Sequence, residues 1–285
     1  MQPPLETHPQ AKHRVLTQRP DIECSEYRAY PIFYTAHIKH PPASASVREH
    51  MDLWPVFDQG TLGSCTANAI AAAIEFEVRS PDFTPDSSGD TTSETFVPSR
   101  LFIYYNERER EGTIDKDAGA QIKDGIRSVQ RIGFCSEKDW PYQVDNFNVH
   151  PPPACYESTR LVTGAHRLFP QDLSEIKKAI ATGYPVVFGV AVYETFLQSQ
   201  DGNIPMPDTM SEELKGGHAI LAVAYDDLTM QVTFRNSWGA EWGDAGYGKL
   251  PYSYFSKRTL ANSMWVIKSV ENSASALVRR TSEYY

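Results

Sequence analysis

Residues 234–250 read FRNSWGAEWGDAGYGKL. The segments QVTFRNSW (231–238) and GYGKLPYS (246–253) have the alternation of strands, and the glycines between them mark a turn. Taken alone, Asn236-Ser237-Trp238-Gly239 is no more than a strand end entering that turn. Upstream lie two further apolar-rich strand candidates, YPVVFGVAV (184–192) and HAILAVAYDD (218–227). Before them, DLSEIKKAIATG (172–183) has helical spacing. The C-terminal half thus reads as one helix followed by β structure.

The N-terminal half reads as helical. TANAIAAAIEFEVR (66–79) is alanine-rich with apolar residues at helical intervals. PSRLFIYYNERER (98–110) opens with Ser99 as a cap, and AGAQIKDGIRSVQRIG (118–133) has Asp117 ahead of it and Gly133 behind. A helical half followed by a strand-rich half predicts an α+β chain of two packed lobes with a cleft between them.

Gln59-Gly60-Thr61-Leu62-Gly63-Ser64-Cys65 runs straight into the alanine-rich helix. That places Cys65 at a helix N-terminus, where the partial positive charge favours thiolate, the reactive form, over thiol. The first-turn amides, with the Gln59 side chain nearby, are placed to bind a developing oxyanion. Gly216-Gly217-His218 heads an apolar strand, and a histidine is the base that a thiol nucleophile needs. Asn236 has the chemistry to accept from the imidazole N–H and fix its tautomer, and Trp238 to shield that bond from water. Each element has a bland structural reading; their order along the chain is what joins them.

In that order QGTLGSC, GGHAILAVAY and FRNSWGAEWGDAGYGKL resemble the papain family of cysteine peptidases, in the spelling of its bacterial branch. The resemblance covers roughly residues 50–270. It implies a papain-like two-lobe fold, with Cys65 on the helical left lobe, His218 and Asn236 on the β-rich right lobe, and an endopeptidase working through a thioester. It also implies that Gln59 supplies the oxyanion-hole side chain, that Trp238 covers the His–Asn bond and that Trp242 walls the primed side of the cleft. The family's glycine pair, whose backbone pairs with substrate, has no clean match here; Gly119 lies closest to it, and Gly63 and Gly217 are further candidate substrate-binding residues.

The chain departs from the family pattern as well. Leu62 replaces the cysteine three residues before the nucleophile, so a left-lobe disulfide is missing. Thr66 replaces the usual tryptophan after Cys65, and Gly217 stands where many members carry Asp. Residues 1–45 are too short and Pro-rich for the family's helical pro-segment and read as an extended arm. Its aromatic stretch, DIECSEYRAYPIFY (21–34), is a candidate inhibitory plug for the cleft. Residues 46–272 then form the peptidase domain, with lobes of about 46–150 and 151–272. SPDFTPDSSGDTTSE (80–94) reads as a surface insertion, and residues 273–285 as a loose tail.

A formal net charge of −9 argues against nucleic-acid or anionic-membrane partners, since either polyanion would be repelled. No stretch approaches the ~20 apolar residues of a membrane helix, and the first residues lack the apolar run of a secretory signal. A cytoplasmic protein, or one exported by another route, is expected, and a monomer. Cys24, Cys65, Cys135 and Cys155 lack paired metal-ligand spacing, so neither metal nor cofactor is expected. Cys135 and Cys155 fit buried thiols, with a disulfide between them an alternative, and Cys24 fits an incidental residue or a redox latch. The expected partners are a peptide or protein substrate and the chain's own arm. A Cys-His amidase or acyltransferase, and a catalytically silent binding protein, remain as competing readings.

Overall fold

Alanine loses least on entering a helix, and the run after Ser64 becomes the helix on which the first lobe is built. The computed structural model describes residues 15–33, 38–79 and 96–272. In chain order its helices are α1 (Ser25–Arg28), α2 (Cys65–Arg79), α3 (Arg100–Glu111), α4 (Ile122–Arg131), α5 (Pro153–Glu157), α6 (Leu173–Ala181) and α7 (Glu194–Gln198). Its strands are β1 (Ser44–Ser46), β2 (Arg160–Arg167), β3 (Val186–Tyr193), β4 (Leu214–Asp226), β5 (Gln231–Arg235), β6 (Tyr247–Pro251) and β7 (Ala261–Asn272).

Nearly every side chain of α2 is buried, the polar Thr66, Asn68 and Glu75 among them. It packs with α3 and α4 around Ile70, Leu101 and Ile126. Ser99 caps α3 by accepting from the Phe102 N–H, and Asp172 caps α6 through the Glu175 N–H. Gly133, just past α4, is left-handed and closes that helix onto the Ser128 carbonyl.

The described strands form one antiparallel sheet in the order β2-β7-β3-β4-β5-β6, with β1 also on β4. Register positions the site. β3 sets Val190 opposite His218 and Gly189 opposite Ala219, and β7 sets Asn262 opposite Gly189. β4 pairs Leu221 with Arg235 of β5, which brings Asn236, the next residue, beside His218.

The expected α+β architecture is borne out, and several local expectations are corrected. β2 and β7 were not legible: RLVTGAHR is bounded by charge and interrupted by Gly164, and ANSMWVIKSVEN opens on polar residues. They are strands because they pair with each other from Arg160↔Asn272 to Arg167↔Trp265. β4 begins four residues before His218, so that histidine sits inside a strand. Asp117 does not cap α4, which starts at Ile122 behind Gln121. Cys135 and Cys155 are buried neighbours in the thiol form, and Cys24 is likewise free. The insertion at 80–94, the tail at 273–285 and Tyr34 lie outside the described residues.

Candidate active site

Cys65 is the first residue of α2 and has no exposed surface. Three backbone N–H groups are directed at its sulfur, from Ala219, Thr66 and Gln18. The first places the thiol beside β4 at the residue following His218. The third comes from the N-terminal arm. Burial pushes the Cys65 thiol up to about 12, with Glu107 adding to the shift and the three N–H groups opposing it. Glu107 lies beneath the helix start and accepts from Thr66 Oγ1 at 2.5 Å. Burial holds its carboxyl well above the usual carboxylate range.

His218 Nε2 lies 2.8 Å from Asn236 Oδ1. The same oxygen accepts from the Ser237 N–H at 2.8 Å, which identifies it as the amide oxygen. Nε2 therefore carries the imidazole proton in this pair. The Trp238 ring stacks on His218 with centroids 4.9 Å apart. Trp242 is largely buried, edge-on to Trp238 and stacked on Phe196, and so buttresses Trp238 from behind.

Gln59 is fully buried. Its Oε1 accepts from Ser237 Oγ at 2.7 Å and its Nε2 donates to the Leu62 carbonyl at 2.9 Å. Ser237 thus decides which way the amide faces, a role not legible in the sequence. Behind this turn, Tyr142 O–H donates to the Gln59 carbonyl at 2.9 Å, and the Arg100 guanidinium lies over the Tyr142 ring.

Asp117 was expected at a helix start and instead ties two loops together. Both its carboxylate oxygens accept from the Gly63 N–H at 3.0 Å, and Tyr104 O–H donates to it. Tyr104 also accepts from the Gly119 N–H at 3.2 Å. The loop before Cys65 is thereby held to the loop carrying Gly119, in a chain where Leu62 stands in place of the cysteine expected there.

The arm fills the space between the lobes. Thr17 bridges to Gly217 and Arg19 to Gln121, with Gln18 N–H donating to the Gly217 carbonyl at 3.0 Å and Arg19 N–H to the Ala120 carbonyl at 3.2 Å. Thr17 Oγ1 donates to the Gly63 carbonyl at 3.0 Å. Gly63, Gly119 and Gly217, the three glycines expected to bind substrate, all face residues 15–18 instead. A Cβ at Gly119 would run into Thr17, and one at Gly217 into the Gln18 carbonyl. Gly119 is also left-handed, at φ 63°.

The cleft segment is therefore residues 15–19, which precede the aromatic stretch expected there. Residues 21–33 anchor it from outside. Tyr27 and Tyr30 meet Trp265 edge-on at 5.7 and 4.7 Å, the Asp21 carboxyl accepts from the Lys123 N–H and from Trp265 Nε1, and Arg19 pairs with Glu111. Among the described residues no group of histidine, cysteine and carboxylate side chains is arranged to hold a metal ion, and no helix is long and apolar enough to cross a membrane.

Known proteins carry the same pattern. The sequence profile of the papain family cysteine proteases matches residues 106–266. An uncharacterized peptidase C1-like protein (L477) of Acanthamoeba polyphaga mimivirus is 42% identical over 227 residues, covering 75% of this chain and 69% of that protein. Cathepsin L of Sarcophaga peregrina is 29% identical over 211 residues, 73% of this chain but 58% of the cathepsin. The crystal structure of xylellain, a cysteine protease from Xylella fastidiosa, superimposes with a TM-score of 0.80 at 36% identity, covering 90% of this chain and 97% of that one. With helix, sheet and profile in agreement, the chain belongs to the papain family of cysteine proteases, which are peptide-bond hydrolases.

Proposed function

We propose that this chain is an endopeptidase with Cys65 as nucleophile, His218 as acid and base, Asn236 as the group orienting His218 and Gln59 as an oxyanion donor, and that residues 15–19 hold it inactive. The observation that carries the catalytic reading is the 2.8 Å His218–Asn236 bond beside a cysteine that heads a buried helix. His218 takes the Cys65 proton, and the sulfur attacks the substrate carbonyl carbon. The carbonyl π electrons move onto oxygen, which the Gln59 amide and the first-turn N–H groups stabilise. Collapse expels the amine with the proton from His218 and leaves a thioester. His218 then deprotonates a water, which attacks the thioester and releases acid and thiol.

The inhibitory reading rests on what the arm presents to the sulfur. Cys65 meets the N–H of Gln18, while the flanking carbonyls of Thr17 and Gln18 face the cleft walls at Gly119 and Gly217. Solvent is excluded from the thiol. The catalytic reading is tested by intact-mass labelling with a peptidyl epoxide, carried to completion because the docked arm slows it. One adduct is expected on the full chain and none on Cys65→Ala; an equal adduct on Cys65→Ala would sink the assignment.

The arm's grip has a pH dependence with a definite sign. Burial raises the docked Asp21 carboxyl from 3.8 to about 6; the N–H of Lys123, the indole of Trp265 and the Lys123 charge act against burial, and the Asp124 charge acts with it. Tyr27 beside it is itself pushed up to about 12 and stays neutral. The docked arm therefore holds a proton that the released arm gives up. This contribution is complete below about 3.8 and is lost as pH rises through about 6. Labelling of Cys65 in the full chain, relative to a variant with a weakened arm at the same pH, is expected to rise about tenfold or more between pH 4 and 7. Asp21→Asn should flatten that rise; an unchanged rise would remove Asp21 from the account.

A further inference from the structure

The Gln59 carbonyl and the Ser64 hydroxyl flank the turn before Cys65, and both meet one phenol. Tyr142 O–H donates to the Gln59 carbonyl at 2.9 Å, and its oxygen lies 2.5 Å from Ser64 Oγ. Gln59 carries the side-chain oxyanion donor, and Ser64 immediately precedes Cys65 at the head of α2. Tyr142 lies outside helix and strand, 83 residues from Gln59 and 78 from Ser64.

The direction of every proton in this cluster follows from groups that have no choice. A carbonyl only accepts, so the single Tyr142 proton points at Gln59, and Ser64 O–H donates to the phenol oxygen. Ser64 Oγ in turn accepts from Asn68 Nδ2 at 3.0 Å, and the same nitrogen donates to the Ser64 carbonyl at 2.9 Å. Asn68 Oδ1 faces Arg100 Nη1 at 3.3 Å, and a guanidinium only donates. The bonds therefore run one way, from Arg100 through Asn68, Ser64 and Tyr142 to the Gln59 peptide. Hydrogen bonds aligned in this way polarise one another. Glu137 holds the Arg100 guanidinium through two bonds, and the cation lies over the Phe57 and Tyr142 rings at 4.5 and 4.0 Å. Ser64, Asn68 and Arg100 are all buried.

The turn does not need the phenol in order to form. Leu62 closes it, donating its N–H to the Gln59 carbonyl at 3.3 Å and accepting from Gln59 Nε2 at 2.9 Å. What Tyr142 adds is a fixed spacing between that turn and the start of α2. An oxyanion shared by the Gln59 amide and the first-turn N–H groups needs donors at about 2.7–3.1 Å from both sides, so that spacing bears on the reaction.

We propose that Tyr142 is a positioning residue for the oxyanion site, locking the Gln59 turn against the residue that precedes Cys65. The inference rests on the endopeptidase reading and adds a residue to it. Without the hydroxyl the turn keeps its own closure but drifts relative to α2, and a displacement of about 1 Å costs up to about 10²-fold in rate. Substrate binding, which precedes the developing charge, is left in place.

The test uses the full chain with Gln18→Pro to loosen the arm, one fluorogenic peptide, and Tyr142→Phe, which keeps the ring beside Arg100. kcat is expected to fall about tenfold or more, with KM within about twofold. Alkylation of Cys65 by iodoacetamide builds no oxyanion and should stay within about twofold of the parent. In a Gln59→Ala background the same substitution should cost about twofold or less, because the donor it positions is gone. Ser64→Ala, which undoes the tie from its other end, should give the same pattern. An undiminished loss on top of Gln59→Ala, a matching fall in alkylation, or an unchanged kcat overturns the positioning role while the parent still cleaves. A parent that cleaves no peptide overturns the peptidase reading, and this role with it.

Discussion

Replacing His218 with alanine is expected to lower kcat/KM by about 10³–10⁴-fold in a chain whose arm has been loosened, with Cys65→Ala at least as severe. The two act as one unit, since a thiolate without its base cannot expel an amine and a base without the thiolate has nothing to activate. The double variant should therefore lose little beyond the worse single one, as groups acting jointly are far from additive. Steady-state kinetics on one fluorogenic peptide would measure this. Losses from the two substitutions that multiply would mean the residues act in separate steps. Asn236 acts through His218, so Asn236→Ala should lower kcat more than it raises KM and shift the pH profile. A purely structural role would instead lower the amount of folded enzyme and leave that profile in place.

Gln18→Pro in the full chain is expected to speed alkylation of Cys65 by about 10–100-fold at neutral pH. Proline has no N–H, so the bond to the Gly217 carbonyl at 3.0 Å and the contact with the thiol are both lost. Leaving a buried carbonyl unpaired costs about 1–3 kcal/mol, which corresponds to that range in the docked fraction. The anchors at Tyr27, Tyr30 and Asp21 lie outside the substituted stretch, so the arm can stay attached while leaving the sulfur. Iodoacetamide kinetics followed by mass would record the change. An unaltered rate would mean that the arm does not limit access to Cys65. With the thiol no longer buried, the rate should also rise at lower pH than in the parent, where burial holds it near 12.

Several parts of this arrangement were written in neighbouring residues. The caps at Ser99 and Asp172, the alanine helix and the positions of Cys65, Gln59, His218 and Asn236 were legible because each depends on local periodicity or a short motif. Others depend on what a residue meets across the chain. Asp117 precedes a helical pattern and looks like its cap, yet the Gly63 N–H, 54 residues away, claims both its oxygens. The aromatic stretch of the arm was the candidate plug for the cleft. Trp265 of β7, a strand invisible from its own composition, offered those rings a better site.

The sequence by itself determined the lobes' character, the order of the reactive residues and the family they belong to, since helix periodicity, turn glycines and a short run such as Asn-Ser-Trp-Gly are local properties. Only the tertiary structure decided that residues 15–19 face the thiol, that Asp117 joins two loops and that Tyr142 ties Gln59 to Ser64. Those facts arise from strand register and from contacts between residues that local patterning leaves uncorrelated.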